Sequence, residues 1–319
     1  MNAAGEKAPS DEGAVSAADW GREMKENKHG KNRQNNNEKK DKKFYKKPDS
    51  NLPFFAYGIF KPGQIAYSKI SGLDFSLKEA SINYLMKQRD GVPILLKKEN
   101  ERYKTKGCLY DFSDGEKAYR IICQTMSPAL YKWGTIDVEG EKANVLFGLK
   151  PDSGSDSIED ASDRECFDGR NDPIFKEGIK LIKDNLKSED FSMEEGFFKL
   201  QMNYMLLWSA IDRYCKLKYN MGSEHENRLE LAKENNFIDA LRKIDDTREY
   251  RPIFSTDDLM RRSFDVSNPK YCINYYYTLR CNIVHRGKTS IRDLRLLKKA
   301  TADLLEIFEY ILDETFGEK

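Results

Sequence analysis

The chain has 319 residues, 34% of them charged, yet 54 Lys and Arg against 53 Asp and Glu leave a net charge of only +1. That balance excludes a whole-chain cationic field, so any nucleic-acid contact must come from a local patch. No apolar run approaches the ~20 residues that span a bilayer, and the polar N-terminus carries no apolar signal-peptide core. A cytoplasmic protein with no membrane partner is expected, long enough for two cores. Its six cysteines (Cys108, Cys123, Cys166, Cys215, Cys272, Cys281) include no C-x-x-C pair, and all but Cys166 lie in apolar segments. Reduced, buried thiols follow, and no metal or cofactor is expected.

Residues 1–50 are poor in apolar side chains and rich in Lys, Asn, Glu and Gly, which predicts a disordered basic tail. Lys39, Lys40, Lys42, Lys43, Lys46 and Lys47 surround Phe44 and Tyr45. The cluster reads as solvated tail, with a nonspecific RNA-tethering arm as the alternative. Across residues 51–150, short β-rich runs alternate with turn signals: Phe54–Gly58, Val92–Leu96, Gly107–Tyr110, Thr135–Val138 and Ala143–Phe147. Two helices are predicted among them, near Leu77–Met86 and Asp114–Gln124. The sum is a small mixed α/β barrel or sheet.

The run Phe55-Ala56-Tyr57-Gly58-Ile59-Phe60-Lys61-Pro62-Gly63 resembles the glycine-containing loop of the γ-glutamylcyclotransferase-like (AIG2-like) fold. A strand that ends at a glycine lets backbone amides approach a ligand. Lys106-Gly107-Cys108-Leu109-Tyr110-Asp111 and Leu130-Tyr131-Lys132-Trp133 are similar to two later segments of that fold. The resemblance implies a ligand pocket at Tyr57, Gly58, Ile59 and Phe60, where an activating ligand or protein partner could bind. It also implies a catalytic glutamate shortly before Tyr131. This sequence has Ile122, Cys123, Gln124 and Thr125 there, none able to shuttle a proton, and Glu116 lies too early in the chain. The domain is therefore expected to be non-catalytic, a sensor or scaffold.

Residues 151–172 are acidic, Ser/Gly-rich and aperiodic, and read as a linker. The spacing of Asp152, Asp156, Glu159, Asp160 and Asp163 matches no calcium loop. From 173 to 319 the pattern is helical. Asp172-Pro173 supplies a cap and a first-turn proline, and Ser192-Met193-Glu194-Glu195 is a capping box. A long helix then carries Phe197, Leu200, Tyr204, Leu207, Trp208, Ile211, Tyr214 and Cys215 on one face. Shorter helices are predicted near 229–235 and 237–243, then a loop-rich insertion over 246–268. Pro269 opens a further helix, and a last one runs from about Ile291 to Thr315. The expected architecture is α+β in two domains, the barrel followed by an all-α helical bundle.

The helix opened by Pro269 carries Cys272, Tyr276, Leu279 and Ile283 at helical spacing. It is expected to stop at Gly287, with Ser290–Asp293 capping the next. Arg280 thus falls in its last turns and His285 at its exit, whereas His29 and His225 lie in polar surroundings. Arg280 and His285 resemble the R-x4-H motif of the HEPN superfamily, mostly metal-independent ribonucleases of toxin, antiphage and CRISPR systems. The resemblance implies RNA as substrate, an antiphage or toxin-like role, and a composite site where two motif helices meet in a homodimer. Members of the toxin type often continue as R-x4-H-x-Y; here Gly287 stands at the tyrosine position.

The residue types suit that chemistry. A histidine near its ordinary pKa of ~6.5 can move protons at neutral pH, and an arginine fork matches phosphate oxygens. Asn282, one helical turn before His285, can donate to it or to phosphate. The same resemblance implies Asp212 as an acidic partner that orients Arg280, and a surface pair to Lys216 one turn on is the alternative. Arg286, Lys288 and Arg292, with Arg295, Arg261 and Arg262, are candidate RNA-backbone contacts. Tyr275 is expected to be exposed and able to stack a base, and Tyr276 to pack inside. Arg280 and His285 lie about 140° apart on an ideal helix, so a distorted helix exit or a second protomer must bring them together. The other readings are a non-catalytic dimeric binding protein and a surviving γ-glutamyl cyclotransferase.

Overall fold

A computed structural model describes residues 46–89, 92–149, 158–159, 167–188, 191, 194–244, 247–248, 250–255, 260–286 and 293–317. The side chains at 98, 158, 159, 285 and 286 lie outside that description. The basic cluster Lys39–Lys43, the capping-box residues Ser192 and Met193, Cys166, and the turn 287–292 with Lys288 and Arg292 lie outside the described residues too.

Eight strands form one mixed sheet: β1 (Phe54–Ala56), β2 (Phe75–Ile82), β3 (Tyr84–Arg89), β4 (Val92–Glu99), β5 (Thr105–Phe112), β6 (Tyr131–Val138), β7 (Glu141–Gly148) and β8 (Ile158–Glu159). Their order is β2-β5-β1-β7-β4-β3-β8, with β6 on the other edge of β7. β7 is the hub. It runs parallel to β1 at Phe54↔Asn144 and to β4 at Leu95↔Phe147, and antiparallel to β6 along its length. Its sequence explains the position, since Ala143, Val145, Leu146 and Phe147 are all buried, as a strand paired on both edges requires. Asn144 is buried among them and stitches the chain entry to the sheet. Its Nδ2 donates to the carbonyl of Asp49 and to the Tyr119 hydroxyl, and its Oδ1 accepts from the Asp49 amide. Helix α1 (Gly115–Thr125) starts where Asp114 accepts from the Lys117 amide, and lays Ala118, Tyr119 and Ile122 on the core.

Two expectations need correction here. The segment Leu77–Met86 is not a helix. Its Leu, Lys, Glu, Ala and Met favour helix locally, but β2 pairs with β5 from Phe75↔Phe112 to Ile82↔Thr105, and β3 pairs with β4. Sheet pairing overrides the weak local preference. Nor is the acidic segment 151–172 wholly linker, because Ile158–Glu159 adds to the edge of β3 at Gln88↔Glu159. Backbone pairing asks little of side chains on an edge strand.

The C-terminal part is helical, so the protein is α+β in two parts. A turn of π-helix at Ile174–Gly178 leads into α2 (Ile179–Ser188). There follow α3 (Glu194–Lys218), α4 (Glu224–Leu231), α5 (Asn235–Leu241), α6 (Pro269–Arg286) and α7 (Leu294–Phe316). The long α3 buries Leu200, Tyr204, Leu207, Trp208, Ile211 and Tyr214, and packs on α2, α6 and α7. α4 and α5 start earlier than the apolar pattern suggested, because Ser223 caps α4 by accepting from the Glu226 amide. The insertion carries a two-stranded ribbon, β9 (Ile253–Phe254) with β10 (Arg261–Arg262).

The two parts pack together within one compact unit spanning residues 42–319. Asn220, in the left-handed region at φ 49° beyond the end of α3, donates its Nδ2 to the Thr125 carbonyl at the end of α1. The Gly169 amide donates to Gln64 Oε1 at 2.7 Å, and Lys69 lies 4.7 Å from the centre of the Tyr219 ring.

Candidate functional site

The Tyr57–Phe60 loop is filled by its own side chains. Tyr57, Ile59 and Phe60 are buried, and a Cβ on Gly58 would meet Pro93 Cγ at 2.7 Å. The Tyr57 hydroxyl donates to the Leu146 carbonyl at 2.6 Å and accepts from the Leu95 amide, while Tyr131 donates to the Pro93 carbonyl. Burial pushes the Tyr57 phenol well above its ordinary range, with Tyr131 adding to the shift and the Leu95 amide opposing it. What remains is a cavity of about 20 Å³ lined by apolar and tyrosyl residues, Met126 and Leu146 among them. That is room for about one water molecule. The expected ligand pocket is therefore closed in this structure, and no acidic side chain lines it.

The motif helix α6 is regular from Pro269 to Arg286. Helical geometry therefore persists through position 285, and the separation between positions 280 and 285 stays near 140°. The side chains of His285 and Arg286 lie outside the description. Arg280 is half-buried, with Nε enclosed and without a hydrogen-bond partner among the described residues. Its guanidinium lies 5.7 Å from the centre of the Tyr277 ring and within electrostatic reach of Asp212 on α3. Burial raises the Asp212 carboxyl to about 6, and Glu224 pushes the same way, while Arg280 and Arg228 pull it down. Arg280 thus acts on Asp212 electrostatically, though no ion pair closes between them among the described residues.

Two expected site residues turn out to be structural. Tyr275 is not exposed. It is fully buried, donates its hydroxyl to the Arg251 carbonyl at 2.7 Å, and packs edge-on against Tyr250 and Phe264. Helix register explains the error, since it places Tyr275 beside Tyr276 under the insertion, which the sequence did not show folding over α6. Asn282 is also buried, and its Nδ2 donates to the Phe254 carbonyl at 2.9 Å. It holds the ribbon on the helix, and that donor is committed.

The groove beside α6 joins Arg261 and Arg262, which the sequence suggests as RNA contacts, to His225 and Arg228, which it does not. A cleft of about 590 Å³ opens between α4, the ribbon and α6, lined by His225, Arg228, Arg261, Arg262, Tyr271 and Asn274 among others. The Arg228 guanidinium lies over the Tyr277 ring, 3.3 Å from its centre, and the same ring has Trp208 at 5.6 Å and the Arg280 guanidinium at 5.7 Å. His225 and Arg228 are three apart on α4, the spacing of one helical face. That spacing was the available signal, but it pointed nowhere until the ribbon closed over it. Among the described residues no group of three His, Cys, Asp or Glu side chains is placed to hold a metal ion. No helix among them is long and apolar enough to cross a membrane.

Fold and site together define a two-part α+β protein with a groove in its helical half whose described lining includes Arg228, Arg261 and Arg262. No protein-family model matches the chain, and no curated protein matches it. Two solved structures are similar to part of it. An uncharacterized protein from Pyrococcus horikoshii is 19% identical, over 35% of this chain and 87% of its own, with a TM-score of 0.27. An AIG2-like protein from Mus musculus is 15% identical, over 37% of this chain and 88% of its own, with a TM-score of 0.28. At these values neither likeness bears on what the chain does.

Proposed function

We propose that the chain is a metal-independent endoribonuclease of HEPN type that works as a homodimer through its helical part, residues 173–319. The strand-rich part, 51–150, is then a non-catalytic, cyclotransferase-like scaffold or sensor, and the role is that of an antiphage or toxin-like effector. The observation that supports the reading is α6 itself, one regular helix ending at Arg286, with Arg280 in electrostatic reach of Asp212 and position 285 in its last turn.

In this reading His285 takes the proton of a ribose 2′-hydroxyl, whose oxygen attacks the adjacent phosphorus. The P–O5′ bond breaks, the 5′-oxygen is protonated, and a 2′,3′-cyclic phosphate and a 5′-hydroxyl result. Arg280 neutralises the charge gathering on the phosphorane oxygens, and Asp212 orients it. Because the helix is undistorted up to Arg286, a single protomer leaves Arg280 and position 285 on different faces. That favours a site completed by a second copy across a two-fold axis.

Overexpression in growing cells tests the role. The parent is expected to arrest growth, with His285→Ala and Arg280→Ala inert at equal protein level. Equal inhibition by parent and His285→Ala would overturn it. A second reading, a non-catalytic dimeric binding protein, is favoured by the enclosed Arg280 Nε. It predicts that the parent cuts no RNA under any condition. Cyclotransferase activity is not supported, since the loop cavity holds neither a substrate-sized volume nor an acid.

A further inference from the structure

Arg228 is only 5% exposed, yet its Nε and Nη1 have no hydrogen-bond partner among the described residues. Leaving guanidinium donors unpaired inside a protein is costly, and such groups call for an explanation. Its polar neighbours do not supply one. His225 Nδ1 meets only Nη2, at 3.5 Å, and Asp212 feels Arg228 only through space. Arg228 is one wall of the 590 Å³ cleft. Arg261 stands on another wall, and none of the described lining residues is acidic. Arg228 and Arg261 give the described lining two cations, and the ring-supported Arg228 fork suits an anion that accepts two parallel hydrogen bonds once its enclosed Nε and Nη1 are uncovered.

The groove also has direction. Tyr271, Asn274, Thr278 and Cys281 line it from α6, at spacings of three, four and three. Four residues further, the same stripe reaches position 285. The ring of Tyr271 is 55% exposed at the far end, free to take a flat apolar face. Phosphate acceptors, a stacking ring and a path along one helix stripe together describe a polynucleotide strand rather than a compact anion.

We propose that this cleft seats single-stranded RNA. Arg228 holds a backbone phosphate, Arg261 neutralises a neighbouring one, Tyr271 stacks a base, and the strand runs along α6 toward position 285. The inference deepens the nuclease reading and rests on it for the direction of the strand, but the binding site stands on its own geometry.

The test is fluorescence anisotropy of a labelled, unstructured RNA oligonucleotide with the full-length chain in EDTA. Every sample carries His285→Ala so that no cleavage intervenes, and the basic tail is common to all. Adding Arg228→Lys, which keeps the charge but loses the planar fork, or Arg261→Ala is expected to weaken binding roughly ten-fold and to lower the salt dependence for Arg261→Ala by about one phosphate contact. Arg242→Ala, at an exposed arginine paired with Asp239 and not among the cleft's described lining residues, is the control and is expected to bind as the His285→Ala protein does. Unchanged affinity in both cleft variants, or no binding by any sample, would overturn the proposal. Adenosine monophosphate is the competing arm. If it displaces the RNA fully at concentrations near the affinity of the oligonucleotide itself, the cleft is a nucleotide pocket and the strand assignment is overturned. Failure of the nuclease reading looks different, because cleft variants would then still lose binding while the parent cut no RNA.

Discussion

Glu234→Gln is expected to destabilise the helical part far more than its single lost charge suggests. Lys218 and Glu234 form an ion pair at 3.0 Å with side chains only 9% and 12% exposed. Lys218 Nζ also donates to the Tyr214 hydroxyl at 2.6 Å, which in turn donates to Glu234 and meets Thr315 at 3.1 Å. The network ties the last turn of α3 to the start of α5 and to α7. Lys69 of the strand-rich part lies within electrostatic range of Lys218 and Glu234, and its own pKa is lowered, first by burial and then by Lys218. Removing the Glu234 charge leaves Lys218 enclosed beside a second cation. Breaking a buried pair from one side costs about 3–5 kcal/mol, whereas replacing both partners by apolar residues of similar volume is close to neutral. We expect about 3 kcal/mol for Glu234→Gln, at the lower end because neither side chain is fully enclosed. For Lys218→Met with Glu234→Leu we expect within about 1 kcal/mol of the parent. Urea unfolding followed by far-ultraviolet circular dichroism reads both, with an unchanged m value as the check that the same transition is compared. A loss under about 1 kcal/mol in the single variant, or equal losses in single and double, would refute the reasoning.

Three further outcomes follow from the site. The Asp212 carboxyl is raised from its ordinary 3.8 to about 6. Between those values the folded chain holds a proton that the unfolded chain has released, so this group's contribution to stability falls as pH rises through the window. Asp212→Asn should flatten that part of the stability profile measured by thermal unfolding, and an unchanged slope would contradict the shift. Phe60→Ala should cost about 3–5 kcal/mol as a buried aromatic truncation. Neither it nor the parent should release 5-oxoproline from a γ-glutamyl amine, and release by the parent would contradict a closed loop. Tyr275→Phe keeps the ring among Tyr250 and Phe264 and loses only the bond to Arg251, so it should cost about 1 kcal/mol and leave RNA affinity unchanged. A marked loss of affinity would restore Tyr275 to the binding surface.

What the sequence revealed, and what it hid, divides by the range of the interactions involved. Strands such as Ala143–Phe147 and helices such as the stripe on α3 were legible because their buried faces follow local periodicity. The segment Leu77–Met86 was misread because most of β2 is exposed on an outer strand, so its composition records solvent rather than pairing. The pairing of Arg280 with Asp212 came from the family resemblance rather than from local spacing, and the two lie within electrostatic range. Tyr275 and Asn282 were misassigned for one shared reason. Each is covered by the insertion around Tyr250–Phe264, whose ribbon and aromatic packing depend on contacts distant in sequence. The same ribbon makes the cleft, so Arg228 and His225 could not be recognised as its lining before the fold was seen. The cyclotransferase-like loop was legible as a strand end and a glycine, but its closure depends on Pro93 and Met126, which no local pattern connects to it.

The measurement that bears most directly on the nuclease is cleavage of mixed tRNA and unstructured RNA by the purified chain in EDTA, beside His285→Ala. The account predicts metal-independent cleavage by the parent alone, with products ending in 2′,3′-cyclic phosphate. Cleavage of equal extent by His285→Ala, or intact RNA with a parent shown to be dimeric and to bind it, would contradict the account.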